Sequence, residues 1–143
     1  QICYMQDKKL TQEILTMAKL DQAIRKSGGE ITVVDQKNLT RMKQIVSDFG
    51  WPTISLVGKK ASHMAWLLVQ HADEDLKFQK HCLNLMKEAI KKKEVMLPDI
   101  AYLTDRVLVN QGKLQIYGTQ FYKPIKDWQN LNARRIRMGL TPS

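Results

Sequence analysis

The chain of 143 residues lacks the features that mark a disulfide-rich miniprotein or a membrane-spanning protein. Its two cysteines, Cys3 and Cys82, are too few for a disulfide framework, and whether they pair stays open. No apolar run approaches the ~18 residues that cross a bilayer; the longest lie around 65–69 and 107–109. Hydrophobic residues make up 43% and charged residues 26%, as in globular proteins and unlike disordered or collagen-like chains. We therefore expect a single domain over residues 1–143.

The common catalytic and cofactor-binding signatures are also missing. The patterns HExxH, paired CxxC, P-loop, GxSxG and GxGxxG do not occur. The three histidines, His63, His71 and His81, are spaced so that a metal site would need ligands from elsewhere in the chain. The sequence therefore predicts neither a metal site nor a cofactor.

Acidic residues are scarce relative to basic ones. The 14 Asp and Glu stand against 23 Lys and Arg, which gives a formal net charge of +9 at pH 7. This balance favours an anionic partner such as a cell-wall polymer, a membrane surface or nucleic acid, but scattered surface lysines have the same effect. The basic residues are dispersed, apart from Lys91–Lys93 and the group Arg134, Arg135 and Arg137. Because no interleaving of aromatic and basic residues is evident, nucleic-acid binding is the weakest interpretation.

Apolar residues recur at three- and four-residue steps along most of the chain, which is typical of amphipathic helices. In the first such segment Leu10, Ile14 and Met17 share one face, and Gly28 follows where a helix would end. We expect helices at about residues 7–26, 36–48, 59–93, 98–104 and 127–138, the third with a candidate break near 72–75.

The pattern changes after Arg106. Val107–Val109 and Leu114–Tyr117 flank a polar turn that contains Gly112, which is typical of a β-hairpin. We therefore predict a hairpin over about residues 107–121. The expected fold is mainly α with a small β-hairpin, an α+β class.

Three polar clusters are candidates for a functional site. The first is the segment Gln70–Asp73, in which His71 lies beside carboxylates. A carboxylate can fix the tautomer of a histidine and stabilise its protonated form, as a general acid or base near neutral pH requires. The alternative is a structural role for His71, as a hydrogen-bonded core histidine or a cap at a helix break.

The other two clusters belong to the predicted hairpin. At its start, the Arg106 fork could bind a phosphate or carboxylate beside Tyr102 while Asp105 orients His71 or a water. The alternative is a plain ion pair between Asp105 and Arg106. On the returning strand, residues 115–120 are mostly polar, and the glycine among them suggests a bulge or a close backbone approach. The alternative there is an edge strand with its polar residues in solvent.

The chain resembles a bacterial family of domains of unknown function that is marked by QHAD and YGTQ motifs. The first motif lies in AWLLVQHAD at Ala65–Asp73, and the second lies in QIYGTQ at Gln115–Gln120. Further matching segments run along the chain: LDQAIR at Leu20–Arg25, FGWPT at Phe49–Thr53, LVGKKAS at Leu56–Ser62, AYLTDR at Ala101–Arg106, PIKD at Pro124–Asp127 and RRIRMGL at Arg134–Leu140.

This resemblance implies a site without an assigned substrate. Its signature positions fall on polar residues that a core would not require, and a helical domain would gather them into one pocket. These residues are Asp21, Gln22, Arg25, Gln70, His71, Asp73, Asp105, Arg106, Tyr117, Thr119 and Gln120. Many similar proteins follow an export signal, so the resemblance also favours an exported or periplasmic product.

The favoured hypothesis is a small enzyme, a hydrolase or group transferase, that acts on an anionic small molecule or polymer. Its catalytic residues would be His71, Asp73 and Asp105. The substrate would be bound by Asp21, Gln22, Arg25, Gln70, Tyr102, Arg106, Gln115, Tyr117, Thr119 and Gln120. The alternatives are a ligand-binding module without catalysis and a basic nucleic-acid-binding domain, such as a nuclease or toxin. The oligomeric state stays open.

Overall fold

The structure, a computed structural model, describes residues 6–143. Cys3, whose pairing with Cys82 the sequence leaves open, lies outside these residues. The helices of the described part are α1 Lys8–Ser27, α2 Ile31–Phe49, α3 Ile54–Val57, α4 Lys59–Gln70, α5 Leu76–Ala89, α6 Leu97–Asn110 and α7 Leu131–Arg137. Short 3-10 turns at Ile90–Lys92 and Trp128–Asn130 follow α5 and precede α7. None of the helices between residues 6 and 143 combines the length and apolarity needed to span a membrane.

Helix α1 forms one wall of the domain and carries a buried carboxylate. The Asp7 carboxylate accepts a hydrogen bond from Leu10 N at 2.9 Å and so caps the start of the helix. Gly28 ends it with a φ of 71°, a left-handed conformation that glycine adopts without a Cβ clash. Between these ends, one face of α1 is buried at helical spacing, and it includes Ile14 and Asp21.

The helices surround one hydrophobic core, in which α4 is central. Helix α4 contacts α1, α2, α3, α5 and α6, and α5 also packs against α6. Large side chains that are almost fully buried come from most of these helices: Ile14, Met42, Ile45, Met86 and Leu103. Because α1 packs along α4, residue 21 of α1 meets residue 71 at the C-terminal end of α4.

The helix bounds differ from the sequence expectation at the start of α2, at the end of α6 and at the start of α7. Helix α2 begins at Ile31 and not near residue 36, so Asp35 lies inside the helix and pairs with Arg25. The expected segment 59–93 is divided at the candidate break near 72–75, between α4 and α5, and Asp75 caps the start of α5 with its side chain.

The predicted β-hairpin over residues 107–121 is wrong, because the described residues form no strand there. Val107–Val109 belong to the last turn of α6, whose apolar face is buried at helical spacing. Residues 111–127 are an irregular loop with a single isolated β-bridge. β-branched residues beside a glycine fit a helix end as well as a hairpin, and continuous burial along α6 favours the helix.

Candidate functional site

The C-terminal end of α4 holds an Asp–His pair. His71 follows the last residue of the helix, and its Nδ1 lies 3.1 Å from Oδ2 and 3.2 Å from Oδ1 of Asp21. Burial raises the pKa of Asp21, but hydrogen bonds from His71 and Gln22 and the charge of Arg25 outweigh it, so this pKa lies below its ordinary value. An ionised Asp21 accepts hydrogen bonds only, so Nδ1 of His71 carries a proton, and in the neutral form of the ring the lone pair is on Nε2.

Asp21 is itself held by two neighbours on α1. Gln22 Nε2 donates to it at 2.8 Å and Arg25 Nη1 at 2.9 Å. Arg25 also donates to both oxygens of Asp35 on α2, each at 3.1 Å. The three charged groups and His71 therefore form one chain of hydrogen bonds, in which the guanidinium compensates both carboxylates.

Three groups of the same cluster lie close enough together that they could hold a metal ion. One ligand atom each of Asp21, Asp35 and His71 lie within 4.8 Å of one another. Two carboxylates and an imidazole suit several divalent cations. Because Arg25 bridges the two carboxylates, a cation bound there would compete with the guanidinium for the same oxygens.

A second ion pair, Arg106 with Asp73, lies between α6 and the turn after α4. Arg106 Nε donates to Asp73 Oδ1 at 2.8 Å and Nη2 donates to Oδ2 at 2.6 Å. Asn110 also donates to Asp73 at 2.9 Å, while Arg106 Nη1 donates to Gln120 at 3.1 Å. Burial raises the pKa of Asp73, but these hydrogen bonds outweigh it and lower the pKa. Asp73 therefore orients Arg106, and the aspartate that orients His71 is Asp21.

Asp105 organises the loop that follows α6. It is fully buried, and its oxygens accept hydrogen bonds from the backbone N–H groups of Ile116, Tyr117 and Thr119 at 2.8–3.0 Å and from Thr119 Oγ1 at 2.8 Å. These four bonds occupy the carboxylate, so Asp105 fixes the loop and not the imidazole of His71.

Gln115 fixes the same loop from inside. Its Nε2 donates to the carbonyls of Gln120 at 2.7 Å and Lys123 at 2.9 Å, and its Oε1 accepts from Gln120 N at 2.9 Å. Tyr117 lies on the other side of the loop, near α7, where Arg135 donates to its carbonyl. Burial and the Asp105 charge raise the pKa of the Tyr117 phenol.

A cavity of about 570 Å³ opens between α4, α6 and this loop. Its lining residues are Trp66, Leu67, Gln70, His71, Tyr102, Arg106, Val109, Asn110, Thr119, Gln120, Phe121 and Lys123. The sequence-predicted residues in this lining are Gln70, His71, Tyr102, Arg106, Thr119 and Gln120. The remaining predicted residues support the lining from behind or lie outside it: Asp21, Gln22, Arg25, Asp73, Asp105, Gln115 and Tyr117.

Sequence reasoning missed Asn110, Phe121 and Lys123 as lining residues because the hairpin prediction covered or ended beside them. Helical spacing could have identified Asn110, since it lies one turn beyond Arg106 on the same face of α6. The pairing of Asp35 with Arg25 has no sequence signal, because it depends on how α2 packs against α1.

The cavity wall also contains polar atoms that need a partner. Gln70 is buried, and its Nε2 donates to the Tyr102 carbonyl at 3.2 Å, but its Oε1 accepts no hydrogen bond from the described residues. Trp66 Nε1 likewise has no acceptor among them. An unpaired buried polar group costs about 1–3 kcal/mol, so both atoms favour a bound water or ligand group as partner.

A second Asp–His pair lies on α4 outside the cavity lining. His63 Nδ1 is 2.8 Å from Oδ1 of Asp99, and its ring stacks on Trp66 with a centroid distance of 5.0 Å. Trp66 in turn meets Tyr102 edge-on at 5.7 Å. The hydrogen bond to Asp99 raises the pKa of His63 despite partial burial, and burial raises the pKa of Asp99.

Comparison with known proteins gives a family and no activity. Neither a curated protein nor a solved structure matches the chain. A family model described as a family of unknown function, DUF6624, matches residues 8–143. This match covers almost the whole chain and confirms that the resemblance is to a family of unknown function. The chain therefore belongs to the family of unknown function DUF6624.

Proposed function

We propose that the cavity is the active site of a hydrolase or group transferase for anionic substrates, with His71 as the general acid and base. The observation that carries this proposal is the position of His71. Buried Asp21 accepts the hydrogen bond of its Nδ1, and the ring lines a cavity that also contains Arg106 and Lys123. A base held by a carboxylate next to cationic groups is the arrangement that acyl and phosphoryl transfer require.

The proposed step uses the free lone pair of His71 Nε2. It takes the proton of a water or substrate hydroxyl while that oxygen bonds to the electrophilic phosphorus or carbon. The bond to the leaving group breaks with its electron pair on the leaving oxygen, which then receives the proton from His71. Asp21 stabilises the imidazolium between the two transfers and holds the ring in one tautomer.

The anionic part of the substrate would bind at Arg106 and Lys123. Two of the Arg106 nitrogens are fixed by Asp73, so the guanidinium is held in one orientation, with further N–H groups left for a ligand. Gln70, Tyr102, Thr119 and Gln120 would position the substrate by hydrogen bonds, and the unpaired Oε1 of Gln70 favours a donor there. In this scheme Asp105 is a positioning residue, because it shapes the loop that carries Thr119 and Gln120.

The test is turnover of phosphate monoesters, phosphodiesters and carboxylic esters by the wild type and two histidine variants. We expect His71→Asn to lower kcat about 10²–10⁴-fold, which is the usual contribution of a general acid–base group. The matched control is His81→Asn, since His81 is exposed on α5 and outside this cavity. We expect it to keep wild-type turnover.

Melting temperatures separate a catalytic role from a structural one. The proposal requires a folded His71→Asn or His71→Gln variant without activity, and unfolding of both would assign His71 to the core. If the wild type is stabilised by an anionic ligand but turns over no substrate, the domain is a binding module and the catalytic proposal is wrong.

A further inference from the structure

The loop after α6 holds aromatic side chains in solvent beside the cavity. The exposed fractions are 88% for Phe121, 104% for Tyr122 and 70% for Trp128. Phe121 also lines the cavity, as does Lys123. Aromatic rings normally supply buried area to a core or an interface, so three strongly exposed rings within residues 121–128 indicate a contact surface.

Buried polar groups hold this loop in place. Asp105 and Gln115 fix its first half through the hydrogen bonds described above. The Arg134 guanidinium fixes the second half, since it donates to the carbonyls of Ile116 at 2.7 Å, Asp127 at 3.0 Å and Lys126 at 2.6 Å. These hydrogen bonds hold the loop backbone in the conformation in which the rings are exposed to solvent.

The backbone of the loop is strained at Tyr122. Its φ is 61°, in the left-handed region that a tyrosine rarely adopts. Such a conformation persists only where the surroundings enforce it, and it clusters at ligand-binding segments. Its ring lies 6.4 Å from that of Phe121 at an angle of 48°, so the two rings do not stack face to face on each other.

The same part of the chain is strongly basic. Residues 111–143 contain six Lys or Arg and one acidic residue, Asp127. Lys123 and Lys126 lie next to the exposed rings, and neither forms a salt bridge with a described residue. Aromatic and basic side chains therefore do interleave here, contrary to the sequence expectation.

We propose that residues 121–128 bind single-stranded nucleic acid and lead it into the cavity. This inference rests on the function proposed for the cavity and names its substrate class, a single-stranded polynucleotide. Unpaired bases stack on exposed ring faces while lysines contact the phosphates, whereas the bases of a duplex are already stacked on each other. A lipid surface also attracts aromatic and basic residues, but Phe121 and Lys123 line one cavity together with Arg106 and His71, and a cationic group beside a histidine suits a phosphodiester chain.

The reaction that follows is hydrolysis of a phosphodiester. A water oxygen bonds to phosphorus while its proton passes to His71, and the bond from phosphorus to the leaving sugar oxygen breaks. That oxygen takes the proton from His71, so water is added across one P–O bond and no other reactant is needed.

The test is fluorescence anisotropy of labelled oligothymidylate and oligouridylate of about twelve nucleotides, within the usual site size for such surfaces. We expect the full chain to bind both, and the double variant Phe121→Ala/Tyr122→Ala to bind about tenfold more weakly or worse. The matched control is Phe49→Ala, which removes a partly exposed ring at the end of α2 and should keep wild-type affinity.

Salt dependence tests the basic residues. Lys123→Gln/Lys126→Gln should weaken binding and make the slope of log affinity against log salt less steep by up to about 1.4, at about 0.7 per lysine for a single strand. Lys87→Gln/Lys92→Gln removes the same charge from exposed positions on α5 and the turn after it, and should lower the slope less. Equal effects of the two double variants would mean that net charge alone attracts the oligonucleotide, which overturns the proposal.

Three further results would overturn it. They are equal affinity for duplex DNA of the same length, binding of phosphatidylserine vesicles but not of oligonucleotides, and dimerisation through Phe121 and Tyr122 without oligonucleotide binding. Other results decide the catalytic proposal, so the two proposals can be told apart. Binding without cleavage by the wild type supports the substrate class and contradicts catalysis, whereas turnover of small phosphoesters without oligonucleotide binding contradicts only the substrate class.

Discussion

His63 on α4 and His71 just after its last residue each face a buried aspartate, yet of these two only His71 lines the cavity. His71 and Asp21 are 3.1 Å apart, and His63 and Asp99 are 2.8 Å apart, in both cases through Nδ1. The difference lies in what surrounds the aspartate. Asp21 has a guanidinium and an amide as further partners, whereas the side chain of Asp99 has His63 as its one partner among the described residues.

These surroundings decide what each histidine can do. Burial raises the pKa of Asp21, but His71, Gln22 and the cation Arg25 together hold it below its ordinary value, so this carboxylate has partners besides the imidazole. Asp99 lacks such a cation, and its negative charge in a buried position favours a protonated His63. A base must gain and lose its proton, so an Asp–His pair at hydrogen-bond distance is not sufficient evidence for catalysis. In the function proposed above, the partner of the aspartate and the access to a cavity are what distinguish the pair proposed as catalytic from the other one.

Neutralising each aspartate in turn tests the difference between the two Asp–His pairs and should give the largest effect. Asp21→Asn should lower kcat about 10³–10⁴-fold, because an amide donates as well as accepts, so it no longer enforces the Nδ1-protonated tautomer, and it has no charge to stabilise the imidazolium. Asp99→Asn should change turnover little, since His63 is outside the cavity lining. Two-bond ¹H–¹⁵N spectra report the tautomer of His71, which a general loss of stability would not change. They should show the Nδ1–H form in the wild type and in Asp99→Asn, and a changed tautomer in Asp21→Asn.

Equal losses of kcat in the two variants would contradict the distinction between the pairs. An unchanged His71 tautomer in a folded but inactive Asp21→Asn variant would contradict the role given to Asp21.

The sequence was sufficient for the mainly helical character and for part of the cavity lining, because both follow from local patterns, but α3 and the full length of α6 were not predicted. Apolar spacing along α1 and α4 places Ile14 and Leu68 in the core, and it also puts Gln70 at the end of α4 beside His71. The hairpin prediction was wrong because Val107 and Val109 have β-branched side chains before a glycine, and this pattern also occurs at the end of a helix.

The pairing of charges could not be predicted, because it depends on how helices pack. Asp73 and Asp105 are nearer to His71 or Arg106 in sequence than Asp21 is, yet Asp21 meets His71 across 50 residues. Such contacts arise from the packing of α1 on α4, and periodicity carries no information about which polar residues then face each other. Phe121 and Lys123 were not predicted as lining residues for the same reason, because their place beside the cavity depends on how the loop packs against the helices.

Removing the cation behind Asp21 should have the next largest effect. Arg25→Gln leaves the carboxylates of Asp21 and Asp35 close together without a compensating charge. We expect the free energy of unfolding at pH 7 to fall by about 2–4 kcal/mol, because breaking a buried ion pair strands a charge. Urea unfolding measures this change.

The control for Arg25 is an exposed ion pair. Arg41 and Glu13 join α2 and α1 in the same way, but both side chains are about one-third exposed, at 38% and 35%. Arg41→Gln should therefore lower the free energy of unfolding by less than about 1 kcal/mol. Similar losses from both variants would mean that the Arg25 cluster is no more than a surface ion pair.

The smallest expected effect is on the pH dependence of stability, to which His63 and Asp21 contribute with opposite signs. The pKa of His63 is raised in the folded protein, so its pairing with Asp99 stabilises the fold fully below about pH 6.5, the ordinary value for histidine. That contribution is lost as the pH rises through the raised pKa. Asp21 acts in the opposite direction, because its pKa is lowered. It contributes stability above about pH 4 that is lost as the pH falls through the folded value.

Melting curves from about pH 5 to about pH 8.5 test the sign at His63, since Asp21 stays ionised over that range. Subtracting the curve of His63→Gln from that of the wild type should leave a difference in Tm that shrinks as the pH rises. The control is His81→Gln, which replaces an exposed histidine and should give a curve parallel to the wild type. If the difference between the wild type and His63→Gln does not change with pH, His63 is not held protonated by Asp99, and the contrast between the two pairs rests on the cavity alone.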